Sequence, residues 1–300
     1  MLPLLEETFK KSPFLRKAAK RLLGMFGITY VPLQKRRILD SAREKCRENL
    51  PLDVSIRYGY KIFHNPGNSL INRGPAFESE VQSVIQTLLF LDRQRGNSPT
   101  FADIGANIGL HSLAVKENFP KTPIIAFDPS PFSWKYFEIT IRENGIKGIE
   151  LIPFALGSEE GTVDFYTWGE NSSGDSLHDT GRQPETPYSI IKVPLKKFDD
   201  IPEARNVTVI KMDCEGAEIS ILQGMVETIS RNRPLIVTEF YEENQRAFGI
   251  SGDNVYDLVS SFDYSMFTLW FEKLSRDAFL DLHKNGEENF LLLPEELAER

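Results

Sequence analysis

The sequence predicts an α/β fold in which helices cover a mostly parallel β-sheet. From residue 99 onward, short apolar segments alternate with longer amphipathic ones, which is the pattern of repeated strand–helix units. The strand-like segments, such as IIAF at 124–127, are apolar throughout, as expected for strands covered on both faces. With 300 residues, of which 41% are hydrophobic, the chain is long enough for one α/β domain with extensions.

Residues 1–50 are predicted to form a basic, helical N-terminal extension. They carry 12 Lys and Arg against five Asp and Glu, a balance of +7, whereas the remainder carries a balance of −15. Residues 12–26 predict an amphipathic helix, and residues 35–49 a second helix. The basic face of the first helix either contacts an anionic membrane or a partner protein, or stays in solvent. The acidic remainder argues against nucleic-acid binding, which needs positive charge.

The predicted elements of the main body follow the chain in order. Residues 51–75 predict a β-hairpin with a turn near Gly59 and then a loop, and residues 76–300 predict one domain that begins with a helix at 78–94. The predicted strands cover residues 100–104, 122–130, 148–157, 207–216, 233–240, 264–270 and 288–294. The predicted helices cover residues 109–118, 131–145, 217–232 and 254–262.

Residues 157–206 interrupt this alternation. They contain two strand-like runs, GTVDFYTW and YSIIKVPL, on either side of a polar loop at 169–183. Alternating runs of this kind predict an inserted β-hairpin rather than a crossover helix.

The cysteines and the hydropathy pattern indicate the compartment. Cys46 and Cys214 are too far apart in sequence for a zinc motif and too few for a disulfide framework. The sequence shows no obvious signal peptide and no run of 18 apolar residues. These features predict a cytoplasmic protein, with peripheral membrane contact through residues 12–26 as an option.

A glycine loop, GANIG at residues 105–109, separates Asp103 from the first helix of the alternation. In doubly wound sheets, this turn contacts the ligand. Asn107 stands where a dinucleotide motif has its middle glycine, and Asp103 would repel a pyrophosphate. A cationic ligand such as S-adenosylmethionine, with its sulfonium and ammonium groups, suits this loop better. Asp103 then either meets the amino-acid end of that cofactor or braces the loop through backbone amides.

Acidic residues also end the other predicted strands. Asp128 follows the second strand, where a carboxylate can accept both hydroxyl groups of a ribose. Asp213 ends the fourth strand and Glu239 the fifth. Carboxylates at adjacent strand ends repel one another unless a cation, a ligand or a shifted pKa relieves the repulsion. Glu218 is explained equally well by its favourable position at a helix N-terminus.

Five motifs together resemble the FkbM-type S-adenosylmethionine-dependent methyltransferases: FADIGANIGLHS, AFDPSP, ALGSEEGTVDFY, IKMDCEGAE and IVTEF. The first motif fits many methyltransferases, whereas IKMDCEGAE is much more specific. The resemblance covers roughly residues 75–293. It implies a Rossmann-like class I methyltransferase fold, with seven mostly parallel strands, helices on both faces and an antiparallel last strand. It also implies methyl transfer to a hydroxyl oxygen of a sugar, glycan or other natural product.

The resemblance further implies roles for individual residues. Asp128 would hold the ribose in place of the usual glutamate, Ala155 would lie near the adenine, and Asp213 would lie nearest the reacting methyl group. The expected cofactor-binding residues are Asp103, Gly105, Ala106, Asn107, Gly109, Asp128, Pro129 and Ala155.

An acceptor hydroxyl group also has to lose a proton. We expect Asp213 to accept it, with Glu239 and then His111 as further candidates, although His111 is better explained as a packing or loop residue. Asp213, Glu215 and Glu239 together suggest a divalent metal site, because hard oxygen ligands suit Mg²⁺. The polar loop at 169–183 either covers the acceptor or is a surface loop, and its deletion is expected to raise the acceptor KM more than it changes cofactor affinity.

Two other functions stay open at this point. An NAD-linked oxidoreductase on a similar sheet would need a pyrophosphate-binding loop, which the missing glycine at position 107 disfavours. A non-catalytic adaptor could keep the fold and dock on a membrane or protein through residues 12–26.

Overall fold

The computed structural model describes residues 37–38, 40–42, 51–66, 68–73, 78–169, 174–179 and 187–298. Contacts divide the chain into two compact units, Met1–Leu50 and Pro51–Arg300. The described residues of the first unit are helical. The helix expected at 12–26, and most of the one expected at 35–49, lie outside the described residues. Within the described part of the chain, every helix is too short or too polar to cross a bilayer.

The second unit contains the strands and helices that build the site. The strands are β1 (Asp53–Arg57), β2 (Tyr60–His64), β3 (Phe101–Ile104), β4 (Ile124–Phe127), β5 (Ile149–Ile152), β6 (Ala155–Leu156), β7 (Gly161–Thr167), β8 (Ser189–Lys196), β9 (Val209–Met212), β10 (Leu235–Glu239), β11 (Tyr264–Thr268) and β12 (Asn289–Pro294). The helices are α1 (Ser69–Asn72), α2 (Ser79–Gln94), α3 (Leu110–Asn118), α4 (Pro131–Asn144), α5 (Glu218–Gln223), α6 (Val226–Asn232), α7 (Glu242–Ala247), α8 (Gly252–Ser261), α9 (Arg276–Lys284) and α10 (Glu295–Ala298).

Seven strands form the central sheet in the order β11-β12-β10-β9-β3-β4-β5. The pairs β10–β9, β9–β3, β3–β4 and β4–β5 are parallel, and β12 runs antiparallel to both of its neighbours. The predicted Rossmann-like sheet, with an antiparallel last strand, is therefore confirmed.

Helices cover both faces because alternate strand residues point to opposite sides. On β3, Phe101 packs in a cluster that includes Leu88 of α2, whereas Ala102 and Ile104 pack in the cluster that includes Leu222 of α5. Full burial of a side chain such as Phe101 contributes about 1.5–3 kcal/mol. The all-apolar strand pattern of the sequence is thus explained by burial on two sides.

Two smaller sheets flank the central one. β1 and β2 pair as a hairpin that turns at Tyr58 and Gly59. β7 and β8 pair antiparallel from Gly161 opposite Leu195 to Thr167 opposite Ser189, and β6 adds to β8 in parallel. The inserted segment is therefore a hairpin on a three-stranded sheet.

Two predicted elements are broken in the structure. The strand expected at 148–157 splits at Pro153, which lacks an amide donor, so that β5 joins the central sheet and β6 joins β8. The helix expected at 217–232 splits at Gly224 into α5 and α6. A Cβ atom on Gly224 would lie 2.0 Å from the carbonyl oxygen of Gly157, so the backbones are in direct contact there.

Helix α9 was not predicted, although its sequence contains signals for it. The hydroxyl group of Ser275 accepts a hydrogen bond from the amide of Ala278 and so caps the helix. Phe279 and His283, four residues apart, form its buried face.

Replacing Gly224 with alanine tests the contact that breaks the helix. The added Cβ would overlap the Gly157 carbonyl, so we expect the free energy of unfolding in urea to fall by about 1–3 kcal/mol. Gly161→Ala is the matched control, because a Cβ there meets no heavy atom within 4 Å. We expect the control to be neutral or slightly stabilising. Equal free energies of unfolding for the two variants would contradict a close contact between Gly224 and the Gly157 carbonyl.

Candidate active site

A cavity of about 440 Å³ opens at the carboxyl ends of β3, β4, β9 and β10. Its volume lies within the range of about 300–1,000 Å³ that is typical of small-molecule sites. The predicted site residues that line it are Gly105, Ala106, Asn107, His111, Asp128, Pro129, Ala155, Asp213, Glu215 and Glu239. Two others, Asp103 and Gly109, pack behind its wall.

The two glycines of the GANIG loop are packed against the protein itself. Both have left-handed φ angles, +75° at Gly105 and +81° at Gly109. A Cβ on Gly105 would lie 1.8 Å from the carbonyl oxygen of Asp213, and one on Gly109 would lie 2.1 Å from the ring of Phe137. Glycine is required here because the loop packs directly on the β9 loop and on α4.

Asp103 braces the first turn of α3. Its Oδ2 accepts hydrogen bonds from the amide of Ser112 at 3.0 Å and from the Ser112 hydroxyl at 2.6 Å. Asp103 is fully buried, and its Oδ1 lies 3.9 Å from the ammonium group of Lys211. The carboxylate therefore holds the helix that follows the glycine loop, through the amide and the hydroxyl group of Ser112.

Lys211 supplies the positive charge among these acids. Asp103 and Lys211 are direct neighbours in the β3–β9 register, and the Lys211 Nζ lies 3.5 Å from Asp213 Oδ2 and donates to the Gly105 carbonyl at 3.1 Å. Burial alone would lower the pKa of Lys211, but the charges of Asp213 and Asp103 hold it above its usual value. Lys211 was not predicted as a site residue, although a lysine inside the apolar strand VIKM indicates a buried ion pair.

Asp213 and Glu239 are neighbouring carboxyl groups whose pKa values shift in opposite directions. Burial would raise the pKa of Asp213, but the Lys211 charge and a hydrogen bond from Glu239 hold it below its usual value. Burial and the charge of Asp213 raise the pKa of Glu239 well above its usual value. Asp213 is thus the more acidic of the two carboxyl groups, and Glu239 holds its proton more tightly.

The metal site expected at Asp213, Glu215 and Glu239 is not assembled. Among the residues that the structure describes, no three His, Cys, Asp or Glu side chains are grouped as metal ligands. Glu215 instead accepts a hydrogen bond at 2.5 Å from the side-chain amide of Asn244. Asp213 pairs with Lys211 in place of a metal ion.

His111 pairs with a residue that the sequence did not indicate. Its Nε2 lies 2.8 Å from Oε2 of Glu78, which immediately precedes α2, and both residues line the cavity. Glu78 has a φ of +44°, a strained conformation for a residue with a side chain. The His111 side chain is only 5% exposed, whereas that of Asp213 is 31% exposed. Asp213 is therefore the more accessible of the two to a ligand.

Asp128 links the two loops on the other side of the cavity. Its Oδ2 accepts from the amide of Asn107 at 2.7 Å, and its Oδ1 accepts from the amide of Ser130 at 2.8 Å. Burial raises the pKa of Asp128 to about 7, even though these amide hydrogen bonds lower it. The cavity next to it has an apolar wall formed by Phe154, Ala155, Leu156, Phe165 and Leu177.

Glu218 stabilises the loop that follows β9. Its Oε1 accepts from the amides of Cys214 at 2.7 Å and Gly216 at 3.3 Å. Burial raises the pKa of Glu218 to about 8. The residue thus braces the loop that carries Asp213, in agreement with a structural role at the start of α5.

The strand order, the antiparallel β12 and the cavity at the carboxyl ends of the parallel strands are those of a class I methyltransferase. The profile of the Methyltransferase FkbM domain matches residues 103–266, more than half of the chain. The chain belongs to this family, which implies S-adenosylmethionine as the cofactor. Because the chain belongs to this family, the hypothesis of an NAD-linked oxidoreductase is excluded. The adaptor hypothesis depends on residues 12–26, which lie outside the described residues.

Three known proteins illustrate the similarity. The chain is 25% identical to Methyltransferase 1 of Beauveria bassiana, over 50% of this chain and 70% of the relative. It is 27% identical to 2-O-methyltransferase NoeI of Sinorhizobium fredii, over 55% of this chain and 72% of the relative. The crystal structure of methyltransferase FkbM from Methylobacillus flagellatus aligns with a TM-score of 0.42 and 16% identity, over 65% of this chain and 43% of that chain. The chain thus spans less than half of that structure.

Removing the Lys211 charge is expected to destabilise the sheet. In Lys211→Met, Asp103 and Asp213 lose their cation, so the free energy of unfolding should fall by about 3 kcal/mol near neutral pH. The loss of stability should become smaller at acidic pH, where Asp213 is protonated and no longer needs the cation. Urea denaturation across a pH series measures both effects.

Lys192→Met is the control for this variant. Lys192 pairs with Asp164 on the surface, where both side chains are exposed, and such pairs contribute little to stability. A Lys211→Met protein as stable as the control would contradict the role of the buried charge.

Proposed function

We propose that the protein is an S-adenosylmethionine-dependent O-methyltransferase that acts on a hydroxyl group of a sugar, glycan or other small natural product. The observation that carries this proposal is one cavity lined by two carboxylates. Asp128, on one side, can accept hydrogen bonds from hydroxyl groups, and Asp213, on the other, is ionised. The name of the relative NoeI supports oxygen as the acceptor atom.

The residues on the Asp128 side fit the adenosine part of the cofactor. Each carboxylate oxygen of Asp128 accepts one amide hydrogen bond and has a second lone pair for a ribose hydroxyl group. The apolar wall around Ala155 suits the adenine ring, as expected from the sequence. When bound, S-adenosylmethionine supplies an electrophilic methyl group on a positively charged sulfur.

The residues on the Asp213 side fit an acceptor hydroxyl group. Asp213 is ionised, partly exposed to the cavity and held in place by Lys211 and Glu239. A hydroxyl group becomes strongly acidic as its oxygen forms a bond to carbon, so a weak base is sufficient to take its proton. We assign this role to Asp213, and assign His111 with Glu78 to the positioning of the acceptor.

The experiment that tests the function is methyl transfer from ¹³C-methyl S-adenosylmethionine to a panel of hydroxylated acceptors, including oligosaccharides, polyols and glycolipids. The carbon chemical shift of the product distinguishes a methyl group on oxygen from one on nitrogen or carbon. Transfer to nitrogen or carbon alone would contradict the proposal.

Asp213→Asn should lower kcat by about 10²–10⁴-fold, the usual contribution of a general base. The affinity for S-adenosylhomocysteine, measured by calorimetry, should change little, because the amide keeps the shape of the carboxylate. Asp164→Asn, at an exposed carboxylate on the inserted hairpin, is the matched control and should retain full activity. An active Asp213→Asn enzyme would exclude Asp213 as the proton acceptor.

Cofactor affinity should rise with pH. The ionised form of Asp128 is the better acceptor for ribose hydroxyl groups, and its pKa of about 7 leaves it mostly protonated at pH 6 and mostly ionised at pH 8. Because only the ionised fraction binds well, affinity for S-adenosylhomocysteine should be about tenfold higher at pH 8 than at pH 6. Asp128→Asn should bind weakly, with no rise over this range. A flat profile for the unaltered protein would contradict the ribose role.

A further inference from the structure

We propose that Asp175, in the loop of the inserted hairpin, is a positioning residue of the cofactor site, which it completes by fixing the loop that carries Asp128. This inference rests on the proposed cofactor site. It makes the hairpin part of that site, whereas the sequence suggested a role for its loop on the acceptor alone.

The Asp175 carboxylate joins two separate parts of the chain. Its Oδ2 accepts a hydrogen bond at 2.9 Å from the hydroxyl of Thr167 at the end of β7, and Oδ1 accepts one at 3.1 Å from the amide of Trp168. The same Oδ2 accepts a hydrogen bond at 3.1 Å from the hydroxyl of Ser130, just after β4. Three donors from two elements thus converge on one side chain that lines the cavity.

Ser130 connects Asp175 to Asp128 through two hydrogen bonds. Its side chain is bound to Asp175, and its amide donates to Asp128 Oδ1 at 2.8 Å. The other oxygen of Asp128 accepts from the amide of Asn107 in the glycine loop. A continuous hydrogen-bonded chain therefore runs from the hairpin through the β4 loop to the glycine loop.

Ser176, the residue after Asp175, holds the hairpin loop through its backbone and through its side chain. Tyr166 and Ser176 exchange two backbone hydrogen bonds, at 2.8 and 3.1 Å. The Ser176 hydroxyl donates to the carbonyl of Glu215 at 2.9 Å, in the loop that carries Asp213. Asp175 is thus anchored to the proposed acceptor side of the cavity as well as to the ribose side.

Asparagine cannot replace this carboxylate without loss. The Trp168 amide can only donate, and the hydroxyl groups of Ser130 and Thr167 donate to the other oxygen, so an asparagine would meet these groups with an NH₂ group in place of one acceptor oxygen and with no charge to strengthen the remaining hydrogen bonds. The Asp175 charge also acts on Asp128, whose other charged or titratable neighbours are Lys211 and the Cys214 thiol. Removing that negative charge should make Asp128 easier to ionise.

The effect of deleting the loop at 169–183 is therefore different from the one expected from the sequence. Asp175 lies within this loop, so the deletion should weaken cofactor binding in addition to raising the acceptor KM.

The test is calorimetric titration of the full chain with S-adenosylhomocysteine at pH 6, 7 and 8. At pH 8, we expect Asp175→Asn to bind about five- to tenfold more weakly, because a hydrogen bond to a charged group is lost. At pH 6, the deficit should become smaller, because Asp128 now ionises at lower pH. A purely structural defect would instead weaken binding by the same factor at each pH.

Two further variants keep the test decisive. Ser130→Ala breaks the connection while leaving the Asp175 carboxylate in place, and should also weaken binding at pH 8. Asp179→Asn, at an exposed carboxylate of the same hairpin loop, is the matched control and should bind within about twofold of the unaltered protein. Thermal melting confirms that each variant is folded.

The outcomes separate this inference from the proposed function. If the unaltered protein binds S-adenosylhomocysteine and Asp175→Asn binds equally well, or loses affinity by the same factor at every pH, the positioning role of Asp175 is wrong and the proposed function stands. If the unaltered protein does not bind it at all, the proposed cofactor site and this inference both fall.

Discussion

One buried ammonium group, that of Lys211, allows the acidic edge of the sheet to exist. The parallel register of β3 and β9 places Lys211 directly beside Asp103, and its Nζ also reaches Asp213 and the Gly105 carbonyl. Carboxylates buried this close together would otherwise be protonated or would repel one another. With the cation in place, the pKa of Asp213 is lowered while that of Glu239 is raised, so two acids of different strength lie side by side.

The sequence was sufficient for the fold because the inner strands of the central sheet are covered on both faces and the helices on one, and these two conditions give different hydrophobic periods. One error occurred where a contact between distant segments decided the outcome. The break at Gly224 follows from contact with the Gly157 carbonyl, which no local pattern records. The split at Pro153 was visible in the sequence, since proline removes a donor that a continuous strand would use.

The strand-end acids of the cavity were predictable for a geometric reason, because parallel strands bring their carboxyl ends to one edge. The glycines were recognised for a reason that proved incomplete, since their neighbours are the Asp213 carbonyl and the Phe137 ring. Glu78 and Asp175 were not singled out, because only the folded chain brings the residue before α2 and the hairpin loop to the cavity. Lys211 could have been found from its position inside an apolar strand.

The hydrogen bond between Ser130 and Asp175 limits how this enzyme can be re-engineered. An inserted hairpin resembles a module that could be exchanged between relatives to change which acceptor is used. Here the hairpin and the core each supply one partner of a shared hydrogen bond, so a chimera would need a compatible pair at both positions. Swapping the hairpin alone would separate the two halves of that pair.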